Sequence, residues 1–286
     1  MFINSSFFST IRNDTQFTEW SNKLITFQKY VKPETIDEAY TLNQVKKNKI
    51  VGGMLWLRQG SAMYNTVIDI SGLGFDKIEE DDSQYKIGAM VTLRELENNA
   101  SLGEYTNGAI KNALKDIIGI QFRNLATIGG SIWGRFGFSD VLTVMLSLDT
   151  YVELYKGGTV SLEEFSKMKY DKDIITHIII KKQPIKCVYN AVRIQRTDFP
   201  VLTCAASKVD DSVRVVIGAR PGTARVYVAG VDDFKDGLTA DSIAKFSKHL
   251  KSIVPTSKNT RGSAKYRSQL VQVLSERSLL ELGGLL

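Results

Sequence analysis

The amino-acid sequence predicts an α+β fold of mixed helices and short hairpins, and three observations carry that expectation. Short β-branched runs such as Thr66–Ile70 and Ile174–Lys182 end at glycine, lysine or proline punctuation, as strands do. Runs with apolar residues three and four positions apart are interspersed with them, as helices are. The two kinds do not alternate regularly, which argues against a doubly wound parallel sheet. Pro184 falls between two groups of elements and marks a boundary.

Residues 1–26 are polar and irregular and read as an N-terminal extension. The regular text begins at Phe27. Thr35 can cap a helix in which Glu38 completes a capping box and which runs on through Leu42 and Val45. A short strand, 49–51, ends at Gly52-Gly53, and the strand Thr66–Ile70 is broken by Gly72 and Gly74. Gln84–Ala89 reads as a strand. Thr92 caps the next helix, with Glu95 at the capping-box position. Gly108 to Ile118 has helical spacing, with Ile110, Ala113, Leu114 and Ile117 on one face. A glycine-rich, loop-like segment follows, 119–137, and then a helix, 140–148. Strands 151–155 and 159–161 flank a Gly157-Gly158 turn, ahead of the strong strand 174–182. Beyond Pro184 come strands 187–195, 202–209 and 213–219, the last two joined at Asp210-Asp211. Helices at about 239–254 and 262–281 close the chain, ending at Gly283-Gly284.

A chain of 286 residues can bury a core without disulfides. No apolar run is long enough to span a membrane. The first residues lack the basic start and apolar stretch of a secretory signal, so the expected location is the cytoplasm. Cys187 and Cys204 make no disulfide framework and cannot supply the four ligands of an iron–sulfur cluster; they read as small buried residues. The net charge of +6 is diffuse, with no basic stripe interleaved with aromatics, which argues against nucleic acid and suits an anionic ligand or an acidic partner. Lys46-Lys47-Lys49 and Lys181-Lys182 read as solvated strand edges. His177 and His249 have no plausible metal partner, and no nucleophile–base grouping is visible, so neither a metal site nor a catalytic acid–base residue is expected.

Two segments stand out: Ile50-Val51-Gly52-Gly53-Met54-Leu55-Trp56-Leu57 and Ala126-Thr127-Ile128-Gly129-Gly130-Ser131-Ile132-Trp133. Paired glycines let a ligand approach the backbone closely, and successive N–H groups can cradle anionic oxygens. Two such loops could grip a dinucleotide diphosphate from both sides. Taken singly, a Gly-Gly pair is more often a tight turn at a strand end. Neither segment is the dinucleotide fingerprint of a Rossmann unit or a P-loop.

The order of these motifs resembles the FAD-binding subunits of molybdopterin-dependent dehydrogenases, the family of xanthine, carbon monoxide and nicotinate dehydrogenases. Residues 27–53 resemble that family's opening helix and first flavin loop. IDISGL (68–73), IGAMVTLRELE (87–97), QFRNLATIGGSI (121–132) and FSDVLTVMLSLDTYVEL (138–154) resemble further motifs in order. YNAVRIQRTDFPVLTCA (189–205) and AKYRSQLVQVL (264–274) resemble the C-terminal domain. The resemblance implies a two-lobed FAD-binding domain of the PCMH (vanillyl-alcohol-oxidase-like) type over 27–183, with lobes at about 27–83 and 84–183. A smaller domain of three strands and helices would occupy 186–286.

It also implies roles. The two glycine loops would bind the FAD diphosphate and ribityl, with Thr127, Gly129, Gly130 and Ser131 contributing backbone and hydroxyl donors. Asp140 would accept hydrogen bonds from FAD hydroxyls, although it reads equally as an N-cap or first-turn acid. Ile118 and Ile175 match apolar lining positions. Trp133 falls near the flavin ring, although a core tryptophan is the commoner outcome. Three departures stand against the family pattern. Met54 and Leu55 replace a hydroxyl residue and an acid or serine, Ser131 replaces asparagine, and Asn190 occupies the position of a lysine found near the flavin in some relatives. The implied activity is electron relay. A molybdopterin-binding large subunit would oxidise the substrate, a 2Fe–2S small subunit would pass electrons to this chain's FAD, and NAD or another acceptor would receive them. The alternatives are a structural subunit that has lost its flavin and a stand-alone flavin oxidoreductase.

Overall fold

A computed structural model describes residues 25–230 and 232–286, so most of the irregular extension expected over 1–26 lies outside the described residues. The described chain begins with β1 (Thr26–Val31), α1 (Ile36–Asn43), β2 (Lys49–Val51) and β3 (Met63–Asp69). The strands form a small sheet in the order β1-β3-β2, with both pairings parallel. β1 was not expected as a strand. Most of its residues are exposed, so its sequence has no buried face to leave a pattern. Thr35 caps α1 by accepting from the Glu38 N–H, but the Glu38 carboxylate takes the N–H of Glu34 rather than that of Thr35. The expected capping box is thus displaced by one residue. Ala39, Ile68, Ile70 and Ile174 form the buried centre of this lobe.

Next come β4 (Ile78–Glu80), β5 (Gln84–Gly88), α2 (Leu93–Asn98), α3 (Ala100–Tyr105), α4 (Ala109–Leu114), α5 (Ile120–Arg123), α6 (Ile128–Gly134) and α7 (Asp140–Leu146). They are followed by β6 (Thr150–Leu154), β7 (Gly158–Ser161), α8 (Leu162–Lys167) and β8 (Ile175–Lys181). The five strands make an antiparallel sheet, β4-β5-β8-β6-β7. Its central strand β8 has Ile178 and Ile180 at 0% exposure, which explains its strong apolar signature. At α2 the capping box is complete: Thr92 accepts from the Glu95 N–H at 3.2 Å and donates its own N–H to the Glu95 carboxylate at 2.7 Å. The helix expected over 108–118 is confined to α4; the chain leaves it in turns over 115–118 and reaches the left-handed region at Ile118, φ 52°. The loop expected over 119–137 instead contains α5 and α6. Glycines normally weaken a helix, but Gly129 lies against β5's end, where a β-carbon would stand 2.7 Å from the Ala89 side chain.

The chain ends with β9 (Lys186–Arg193), β10 (Pro200–Val209), β11 (Ser212–Gly218), β12 (Arg225–Val228), α9 (Ala240–Ile253) and α10 (Ala264–Leu282). The strands form an antiparallel meander, β12-β11-β10-β9. β12 was not expected; it is short and lies at an edge. Alternate residues of the sheet serve two cores. Val188, Cys204 and Ala206 pack with α9 and α10, whereas Cys187, Tyr189 and Ala205 join the main core with Leu142 and Met145 of α7. Hydroxyl contacts stitch the second face: Thr143 to Thr203 at 3.0 Å, and Ser207 to the Ser147 carbonyl at 2.6 Å. The main core therefore runs across Pro184.

Arg267 of α10 is 0% exposed. It donates to the carbonyls of Val201, Ser257 and Gly262 and to Asn259 Oδ1, at 2.6–2.9 Å. Removing one donor set strands several buried acceptors, each worth about 1–3 kcal/mol. Arg267→Met is expected to lower the unfolding free energy by about 3 kcal/mol or more, measured by chemical denaturation.

Candidate cofactor-binding site

The end of β2, the loop after it, the N-terminal turns of α6 and α7, and the β9–β10 connection converge on one cleft. Its wide part has a volume of about 540 Å³ and its narrow part about 150 Å³. The two meet at Lys49, Ile50, Val51, Gly52, Thr127, Gly130, Trp133 and Asp171, which border both. Gly53, Met54, Leu55, Trp56, Leu57, Ile118, Ser131 and Asp140 border the wide part, and Gly129 and Ile175 the narrow one. Within the two glycine segments, Ile128 and Ile132 border neither; of the residues expected to bind the cofactor, this leaves out Ile128. Its side chain is 0% exposed in the core, and its N–H donates to the Val91 carbonyl at 2.9 Å.

The two glycine loops touch. A β-carbon on Gly53 would overlap the carbonyl oxygen of Leu125, and one on Gly52 would stand 2.6 Å from Thr127 Oγ1. Their donors, however, are not equivalent. The N–H groups of Gly129, Gly130 and Ser131 donate to the Ala89 carbonyl, Thr127 Oγ1 and the Thr127 carbonyl, and the Ser131 hydroxyl donates to that same carbonyl. The N–H groups of Gly129, Gly130 and Ser131 and the Ser131 hydroxyl, expected as donors to the cofactor, are thus engaged within the protein, in the cap formed by Thr127 and against Ala89. In the first loop, the N–H groups of Gly52, Gly53, Met54 and Leu55 find no acceptor among the described residues. Met54 sits at φ 57°, which brings successive N–H groups round to one side. Leu55, a departure from the family pattern, is 6% exposed and belongs to the main core.

The wide end is aromatic. Trp56 lies 5.2–5.6 Å, centroid to centroid, from Phe136, Phe138 and Phe199. Phe136 and Phe138 stack at 5.2 Å with planes 6° apart, and Phe199 lies 4.6 Å from Phe138. Trp133 is not part of this group. It borders the junction and packs on Phe165 and Tyr170. Ile118 stands at the rim, 45% exposed, with the positive φ that a β-branched side chain disfavours.

Asp140 is the first residue of α7, which is capped by the Ser139 hydroxyl. Its carboxylate is 6% exposed; Oδ1 accepts from the Tyr189 hydroxyl and from Arg193 Nη2, the latter at 2.6 Å. Burial pushes its pKa up to about 6, against the opposing pull of Arg193 and Tyr189. Arg193 also donates to the Asp198 carbonyl at 2.6 Å, which fixes the β9–β10 connection carrying Phe199. Asn190 does not face the cleft: its amide donates to Ser278 and Glu281 of α10. The cation that β9 brings to the site is Arg193. Sequence reasoning missed Arg193, Phe136, Phe138 and Phe199. The phenylalanines carried only the weak signal of three aromatics beside glycine, serine and proline.

A family model described as the FAD binding domain in molybdopterin dehydrogenase matches residues 25–182. The chain belongs to that family. FAD is accordingly its cofactor. Among curated relatives, the uncharacterized protein YgfM of Escherichia coli (strain K12) is 24% identical over 257 residues, covering 86% of this chain and 93% of its own. The nicotine 6-hydroxylase medium subunit of Paenarthrobacter nicotinovorans is 26% identical over 282 residues, covering 90% and 97%. Among solved structures, the carbon monoxide dehydrogenase of Hydrogenophaga pseudoflava superposes with a TM-score of 0.78 at 19% identity, covering 90% of this chain and 96% of that one. That match establishes the likeness of fold. Among the described residues of this FAD-domain protein, no three His, Cys, Asp or Glu side chains converge as a metal site, and no helix is long and apolar enough to cross a membrane.

Gly53→Ala is expected to push the two loops apart, costing about 1–3 kcal/mol of stability and most FAD retention after gel filtration. Ile118→Asn, better suited to a positive φ, is expected to raise the thermal midpoint, by about 1 kcal/mol of strain relieved.

Proposed function

We propose that this chain is the FAD-bearing electron-transfer subunit of a molybdenum hydroxylase complex. It takes electrons from a 2Fe–2S small subunit, while a molybdopterin-binding large subunit oxidises the substrate, and passes them to NAD or another acceptor. The observation that carries this reading is the two-part cleft with open backbone donors at its waist and an aromatic group at its wide end. A flavin dinucleotide has a planar ring, a diphosphate and a nucleoside in that order, and the cleft offers an environment for each. The medium-subunit relative from Paenarthrobacter supports the assembly. The reading retains the expected two-part organisation, 27–183 and 186–286, and a cytoplasmic location in keeping with two free, buried thiols.

Bound FAD would supply the one- and two-electron redox chemistry. This chain's residues bind and orient it. The N–H groups of Gly52 to Leu55 would donate to diphosphate oxygens, where Met54 and Leu55 bring no side-chain donor. Asp140 accepts from ribityl hydroxyls, held in place by Tyr189 and Arg193. Trp56, Phe136, Phe138 and Phe199 pack against the ring and exclude water. Ile175 and its apolar neighbours line the nucleoside end. Trp56 and Ile118, both partly exposed, form the rim through which an electron donor or acceptor reaches the ring. No side chain is asked to act as acid, base or nucleophile.

The visible absorbance of the purified chain, before and after adding FAD and gel filtering, tests this directly. Retained flavin bands are expected. A chain that stays colourless with FAD supplied overturns the proposal and leaves a structural subunit. A loaded, monomeric chain that reduces acceptors without partner subunits favours a stand-alone oxidoreductase. The raised pKa of Asp140 gives a second expectation. Its ionised form, the stronger acceptor, dominates above about pH 6, so FAD affinity should fall as the pH is lowered through that value. Asp140→Asn should bind more weakly and lose this pH dependence, as read by flavin fluorescence titration.

A further inference from the structure

Lys49 opens β2 and is the one cationic side chain, among the described residues, that borders both parts of the cleft. The other cations nearby are engaged. Lys172 donates to the carbonyls of Val45 and Asn48 at 3.3 and 3.2 Å. Arg193 is paired with Asp140 at 2.6 Å. The Lys49 ammonium makes no hydrogen bond and no ion pair among the described residues, and its side chain is half-buried.

The two carboxylates on this wall do not answer it. Asp171 accepts the N–H of Asp173 at 3.0 Å. Asp173 accepts the N–H groups of Lys156, Gly157 and Ile174 at 2.7–3.1 Å. Burial first, and the neighbouring charge of Lys172 second, push the pKa of Lys49 down. A partly desolvated ammonium without a counter-charge is unfavourable. An anion at the waist of the cleft, beside the open N–H groups of Gly52 and Gly53, would relieve it.

We infer that Lys49 is the counter-charge for the cofactor's diphosphate, replacing with an ammonium the side-chain donors that the first loop lacks at Met54 and Leu55. This rests on the flavin reading above. It also makes the waist selective: a flavin with a diphosphate gains from Lys49, and a bare riboflavin does not.

The test compares FAD and riboflavin titrations of the apo full-length chain, followed by flavin fluorescence, with ADP as a competing diphosphate. Lys49→Met is expected to weaken FAD about tenfold, the scale of one charge-assisted hydrogen bond, and to weaken ADP competition while leaving riboflavin unchanged. Lys49→Arg should retain most FAD affinity. Unchanged riboflavin binding reports an intact fold. If the wild type holds FAD and Lys49→Met holds it equally well, the Lys49 assignment is overturned and the flavin reading stands. An equal loss for FAD and riboflavin also overturns it, by making Lys49 a structural residue. A wild type that binds no FAD overturns both.

Discussion

The site depends on the approach of Gly53 to the carbonyl of Leu125. Any side chain there would overlap that oxygen, so only glycine lets the first loop lie on the second. The contact divides the labour between the loops. The second spends its N–H groups on its own cap and on the segment 89–93, and becomes a rigid floor. The first, laid on that floor, keeps its N–H groups open. Binding residues on a fixed scaffold lose little order when a ligand arrives, and here the scaffold is the backbone itself.

The opposite wall is built by burial of charge. Asp140 and Arg193 are each under a tenth exposed and meet at 2.6 Å, with the Tyr189 hydroxyl on the same oxygen. A buried pair of this kind gives little net stability but is costly to break. Its structural effect is to tie α7 to β9 and, through the Asp198 carbonyl, to the turn that carries Phe199. The aromatic end is thus positioned by an ion pair several residues away.

Much of this was legible, and what was not has identifiable causes. The Thr92–Glu95 cap and the central strand β8 were readable because each leaves a local pattern: a hydroxyl–acid spacing and a run buried on both faces. β1, β4 and β12 are short or exposed edge strands with no such pattern. α6 was hidden because glycine disfavours helices; the Thr127 cap starts it, and the closeness of Ala89 explains why glycine stands at position 129. The paired glycines located the cleft but did not reveal which loop keeps its donors, since that depends on pairings with residues 89–91. Asn190 is a matter of strand parity. Tyr189 and Arg193, four apart, face α7, whereas Asn190 faces α10, so a family correspondence at that position carries no charge into the cleft.

The family match ends at residue 182, yet the main core continues into Cys187, Tyr189, Ala205 and Val216. The stretch that the FAD-domain model matches and the stretch that can bury its own apolar surface are therefore different lengths of chain. A fragment cut at the family boundary would keep both glycine loops and lose the wall that faces them, exposing the inner side of α7 to water. In this protein the C-terminal meander is less an appended module than the second half of the container.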